Sequence, residues 1–72
     1  MFGIDRSDVE RRRKEYPKGQ RVELVYMDDW SSPPAGTKGT VMGVDDIATV
    51  HVKWDNGSTL GAAYGIDSIR RI

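Results

Sequence analysis

Seventy-two residues with no cysteine and a formal net charge of zero describe one small domain, near the lower size limit for folding alone. That composition excludes disulfides, thiol chemistry, iron–sulfur ligation and cysteine-zinc sites, and a single histidine, His51, excludes a His-rich metal centre. Residues 1–16 lack the apolar stretch of a secretory signal, and nowhere do apolar residues run long enough to span a membrane. The expectation is therefore a cytoplasmic protein with no membrane role, in line with a cysteine-free chain.

Charge is unevenly spread. Five basic and four acidic residues give Met1–Tyr16 a charge of +1, four basic and seven acidic give Pro17–Ile69 −3, and Arg70 and Arg71 add +2. An acidic body repels phosphate backbones, which argues against nucleic acid on its surface.

The first expected element is a helix over about Asp8–Glu15. Ser7-Asp8-Val9-Glu10 has the form of a capping box, Asp8 and Glu10 suit the positive end of the helix dipole, and Arg13 and Lys14 suit the negative end. Pro17 disfavours helical backbone at Tyr16 and ends the run. Two turns are marginal alone, so the helix depends on Val9 and Tyr16, with Phe2 or Ile4, docking on the body.

Strands follow. Arg21–Met27 alternates, with Val22, Leu24 and Tyr26 directed to the core. Asp28–Lys38 is a long loop that two prolines and Gly36 keep irregular. Thr40–Val44 is a second strand with Val41 inward. Ile47–Trp54 is a third, with Ala48, Val50, Val52 and Trp54 on one face and Thr49, His51 and Lys53 on the other. Asp45-Asp46 forms the hairpin turn between them. Asn56-Gly57 marks the next hairpin, as a type I′ turn with φ > 0 at both residues. Ser58–Ala62 is a fourth strand with Leu60 inward. A bend around Gly65 leads to a closing strand, Ser68–Ile72, with Ile66, Ile69 and Ile72 packing. The sum is an all-β fold: a five-stranded SH3-like small barrel over residues 17–72, preceded by a charged segment with a short helix over residues 1–16.

Y-P-K-G-Q-R-V-E-L, the Pro-rich loop ending G-T-K-G-T-V, then V-D-D, H-V-K-W-D-N-G-S-T-L and G-I-D-S-I resemble an uncharacterised family of short bacterial SH3-like domains over about Tyr16–Ile72. That family carries a domain-of-unknown-function label and is often found in phage and mobile-element settings. The resemblance implies a fold and no activity, so it transfers no functional residue. G-T-K-G-T-V also resembles the glycine-containing turn of KOW-type modules.

Two surfaces are candidate sites. Tyr26, Asp28, Asp29 and Trp30 of the first loop, with Tyr64 in the closing bend, are expected to line one groove. Aromatic rings there offer flat contact area, and carboxylates at the rim select basic residues of a peptide. Arg11, Arg12, Arg13 and Lys14, with Arg70 and Arg71, are the phosphate-contact alternative; their competing role is a solvated or self-paired helix, or one lying on the acidic body. Asp28, Asp29, Asp45, Asp46 and Asp55 match no calcium-loop spacing, and Asp45, Asp46 and Asp55 read as hairpin-turn residues. His51 faces outward without a specified partner, and Trp54 reads as core. No nucleophile–base pair, metal cluster or phosphate loop is present, so no catalytic residue, metal or cofactor is expected. The expected function is a non-enzymatic protein- or peptide-binding module, with a nucleic-acid-associated accessory protein of a phage or mobile element as the alternative.

Overall fold

The computed structural model describes residues 4–72; the expected docking of Phe2 lies outside them. Helix α1 (Arg6–Glu15) precedes strands β1 (Arg21–Tyr26), β2 (Lys38–Val44), β3 (Val50–Trp54) and β4 (Ser68–Arg71). The strands form one antiparallel sheet in the order β3-β2-β1-β4.

The helix begins two residues before the expected start. Asp5, not Ser7, is the N-cap: its carboxylate accepts the Asp8 N–H at 3.0 Å, and the Asp8 carboxylate accepts the Asp5 N–H at 3.2 Å. Asp5-Arg6-Ser7-Asp8 and Ser7-Asp8-Val9-Glu10 both carry capping-box chemistry, and the upstream pair prevails, with Ser7 Oγ donating to Asp5 at 2.6 Å. Tyr16 caps the other end, its N–H donating to Arg12 O at 2.8 Å before Pro17. Val9 is the one buried residue of α1; Tyr16 packs partly on the core, and Ile4 stays largely exposed.

Val22, Leu24, Met27, Val41, Val50, Val52, Trp54, Ala62 and Ile69 make the core, with Tyr16, Val44 and Leu60 against it. Tyr26 does not face inward. The β1–β4 register shifts between Leu24 and Tyr26, which turns Tyr26 to solvent and brings Met27 into the core instead. A second shift between Val41 and Gly43 bends β2 against β3.

β2 runs two residues longer at its start than expected, through Gly39. A Cβ there would lie 2.6 Å from Val52 Cγ1 and 2.8 Å from Trp54 Cε3, so the glycine is what lets the Trp54 ring approach β2 this closely.

The third strand is shorter than expected, because residues 45–49 form the turn. Ala48 N–H donates to Asp45 O, and Asp45 N–H to Thr49 O. The next turn repeats the pattern: Gly57 N–H donates to Trp54 O, and Trp54 N–H to Ser58 O. Gly57 has φ +96 and Ala48 φ +62, while Asn56 keeps a negative φ. Both turns are therefore three-residue hairpin loops closed by one left-handed residue, not the type I′ turn that Asn-Gly suggests. Asp55 supplies the additional loop residue.

The expected fourth strand is reduced to a single bridge, Ala62 to Val50, with the Trp54 indole donating to Leu60 O at 2.9 Å. Four strands and this bridge leave the sheet unclosed, in place of a five-stranded barrel. Ile66 and Ile72 are also exposed rather than packed, and only Ile69 of that set enters the core.

Candidate functional site

Trp30 is 99% exposed at the tip of the loop between β1 and β2. The loop beneath it is tied down. Asp29 accepts the Ser31 N–H and hydroxyl, each at 2.8 Å, and Ser32 N–H closes a turn onto Asp29 O. These serine bonds hold the Asp29 carboxyl below the usual carboxylate range. Asp67 clamps the loop to the closing bend, one oxygen accepting the Asp28 N–H and the other the Ala63 N–H, both at 2.8 Å. Tyr26 is 56% exposed beside Ser68, its partner across the sheet. Tyr26, Asp28, Asp29 and Trp30 thus share the exposed end of β1 and the loop that follows.

Tyr64 is engaged elsewhere. Its hydroxyl accepts from Arg11 at 2.9 Å and meets Asp8 at 3.3 Å, and its ring lies 5.3 Å from the Arg12 guanidinium carbon. The Tyr16 ring is 5.0 Å from the same carbon, so Arg12 contacts two tyrosines. Arg12 Nε is buried without a hydrogen-bond partner, which leaves ring contact as its main support. The Asp8 carboxyl is held below its usual range, first by the Arg11 hydrogen bond. Arg13 reaches the Val44 carbonyl and the Asp46 carboxylate, both at 3.1 Å. Three of the four consecutive cations are therefore committed to the body, and Lys14 is exposed without a partner among the described residues.

Arg70 pairs with Glu23, Nε to Oε1 at 2.7 Å; Arg71 is exposed. Arg21 forks onto Asp55 at 2.9 and 2.7 Å and also donates to Thr40, and this bidentate pair holds the Asp55 carboxyl low. His51 does have a partner: Nε2 lies 2.7 Å from Asp45. Burial opposes ionisation of Asp45, but His51 and the N–H groups of Thr49 and Ile47 outweigh it and keep the carboxyl below its usual range.

Two clefts among the described residues bear on these candidates. One of about 370 Å³ lies between the start of α1 and Asp46. The other, shallow and open, of about 550 Å³, lies along β4 and is lined by Tyr16, Gln20, Ile69, Arg70, Arg71 and Ile72. Neither includes Trp30. Among the described residues no group of three or more His, Asp or Glu side chains converges as a metal site, and no helix is long and apolar enough to cross a membrane.

Sequence reasoning missed Asp67 and the role of Tyr64. The one available signal was an aspartate closely following a Gly-containing bend, where Asx chemistry is expected.

No curated protein and no solved structure matches the chain. Residues 5–72, helix α1 and its cap included, match a family described as Domain of unknown function (DUF4314), and the chain belongs to that family.

Proposed function

We propose that the domain is a non-enzymatic binding module that takes a protein or peptide partner on the loop carrying Trp30. One observation carries this reading: the Trp30 side chain is 99% exposed on a loop braced by Asp29 and Asp67. A soluble domain gains nothing in stability from a fully hydrated indole, whereas a pre-positioned aromatic is the commonest kind of interface anchor. Asp28 and Asp29 beside it favour a partner segment with Arg or Lys, and Tyr26 extends the contact area. Tyr64 belongs to the docking of α1 in this reading, not to the groove.

The SH3-like comparison gains support from the strand order, which runs β4-β1-β2-β3 and then meets Ala62 in the place of a fifth strand. A cytoplasmic setting in bacteria, phage or mobile elements rests on the cysteine-free composition and the resemblance alone. The nucleic-acid alternative has less to draw on, because Arg11, Arg12 and Arg13 already have intramolecular partners.

Partner capture from a host lysate, with and without nuclease, tests the reading. Trp30→Ala is expected to abolish capture with thermal stability unchanged. Undiminished capture by that variant, or capture that nuclease removes, would overturn it.

A further inference from the structure

The two edges of the sheet differ. The outer side of β3 is engaged at both ends, through Trp54 N–H to Ser58 O and the paired bonds between Val50 and Ala62. The outer side of β4 is not. Leu24 N–H donates to Thr37 O and Leu24 O accepts from Gly36, so Leu24 spends both backbone groups toward β2. Its partner Ile69 consequently directs its own N–H and C=O away from β1, and by the same alternation so does Arg71. Ile72 N–H donating to Arg21 O fits that phase. The Tyr16 hydroxyl meets Ile69 O on this outer side at 3.4 Å, long for an O–H···O bond. The Ile69 N–H and both backbone groups of Arg71 have no partner among the described residues. The open cleft of about 550 Å³ lies along this edge.

The geometry points to the β4 edge as a binding site for an extended, acidic peptide segment of a partner protein, added as a further antiparallel strand. An added strand supplies partners for the Ile69 N–H and both Arg71 groups, and a shorter bond to Ile69 O than the Tyr16 hydroxyl makes. Ile69 and Arg71 are two residues apart and share a sheet face, next to Tyr16. The segment that fits places an apolar side chain against Ile69 and Tyr16 and a carboxylate against Arg71. In antiparallel order it reads acidic, any residue, apolar. Arg70 is already neutralised by Glu23 and adds little selectivity. A nucleic-acid backbone fits poorly, because phosphates accept hydrogen bonds and cannot donate to the Arg71 carbonyl. Two-fold pairing with a second copy in the register that sets Ile69 opposite Arg71 places Arg70 against its own counterpart, an unfavourable like-charge pair.

A capped Thr-Glu-Thr-Val-Thr peptide, titrated into the isotopically labelled full chain and followed by amide NMR, tests the site. Shifts are expected at Ile69, Arg71 and Tyr16, with the Trp30 loop unmoved. Exchanging the peptide's Glu for Lys is expected to weaken binding about tenfold, and Arg71→Glu to reverse that preference. N-methylation of its Glu and Val is expected to remove binding. Lack of binding, equal binding of the N-methylated peptide, or shifts centred on residues 28–32 would overturn the proposal. So would self-association through β4, or preferential binding of a single-stranded oligonucleotide at Arg71. Because Trp30 lies outside this cleft, failure here leaves the loop reading standing, and the reverse also holds.

Discussion

The carboxylate of Asp67 joins two chain segments that the sequence keeps far apart, accepting the Asp28 N–H at 2.8 Å with one oxygen and the Ala63 N–H with the other. Asp67→Ala removes both bonds and leaves two amides to find water. A loss of about 1–2 kcal/mol in unfolding free energy is expected, with faster amide exchange over residues 28–32. Chemical denaturation and exchange measurements check it. Loss of stability without added loop exchange would show that the clamp is not what braces Trp30.

Gly39 has no room for a methyl group. With Val52, Trp54 and the Lys53 carbonyl all under 3.0 Å from where a Cβ would lie, Gly39→Ala is expected to cost about 1–3 kcal/mol as the Trp54 ring is displaced. Near-ultraviolet circular dichroism should report the changed tryptophan environment, and thermal unfolding the lost stability.

Ala48 occupies the place in its turn that Gly57 fills in the next, at φ +62 and fully buried. Ala48→Gly relieves roughly 1 kcal/mol of left-handed strain and forfeits a comparable methyl burial, so a change within about 0.5 kcal/mol is expected. Ala48→Val, β-branched at positive φ, is expected to be clearly destabilising. Equal denaturation midpoints for the two variants would contradict the turn assignment.

Acid should destabilise the domain. Asp5, Asp8, Asp29, Asp45 and Asp55 are all held below the ordinary aspartate value in the fold. For a depressed folded pKa the unfolded chain binds more protons, so this stabilisation is complete above the unfolded value of about 4 and is lost as pH falls through the folded values. Unfolding midpoints measured across pH 2–7 should be flat at the upper end and decline at the lower, and Asp45→Asn should shallow the decline.

Legibility in the sequence followed the regularity of the chain. Strand β3 was legible because Val50, Val52 and Trp54 keep strict alternation, and all three are buried with Ala48 as expected. β1 was legible as far as Leu24; past it, the register shift reverses the alternation, and nothing in Leu-Val-Tyr-Met announces a bulge. Asn56-Gly57 marked a chain reversal correctly, but Asp55 lengthens the loop and only a single bridge follows in place of a second hairpin strand. Of the aromatic-acidic set, Tyr26, Asp28, Asp29 and Trp30 are together because they adjoin in the chain, and Tyr64 is drawn away to α1. Its engagement depends on where α1 docks, a long-range contact that local pattern does not carry.

The helix is held to the body mainly by Arg11, Arg12 and Arg13, with Val9 as its one buried residue. Only one of these fastenings, Arg13 to the exposed Asp46, joins opposite charges across the seam, and it is the one that salt weakens; ring contact at Arg12 and the bonds to the Tyr64 hydroxyl and the Val44 carbonyl are not ion pairs. A simple chloride salt should therefore lower the melting temperature only slightly, and the helix and the sheet should still unfold together.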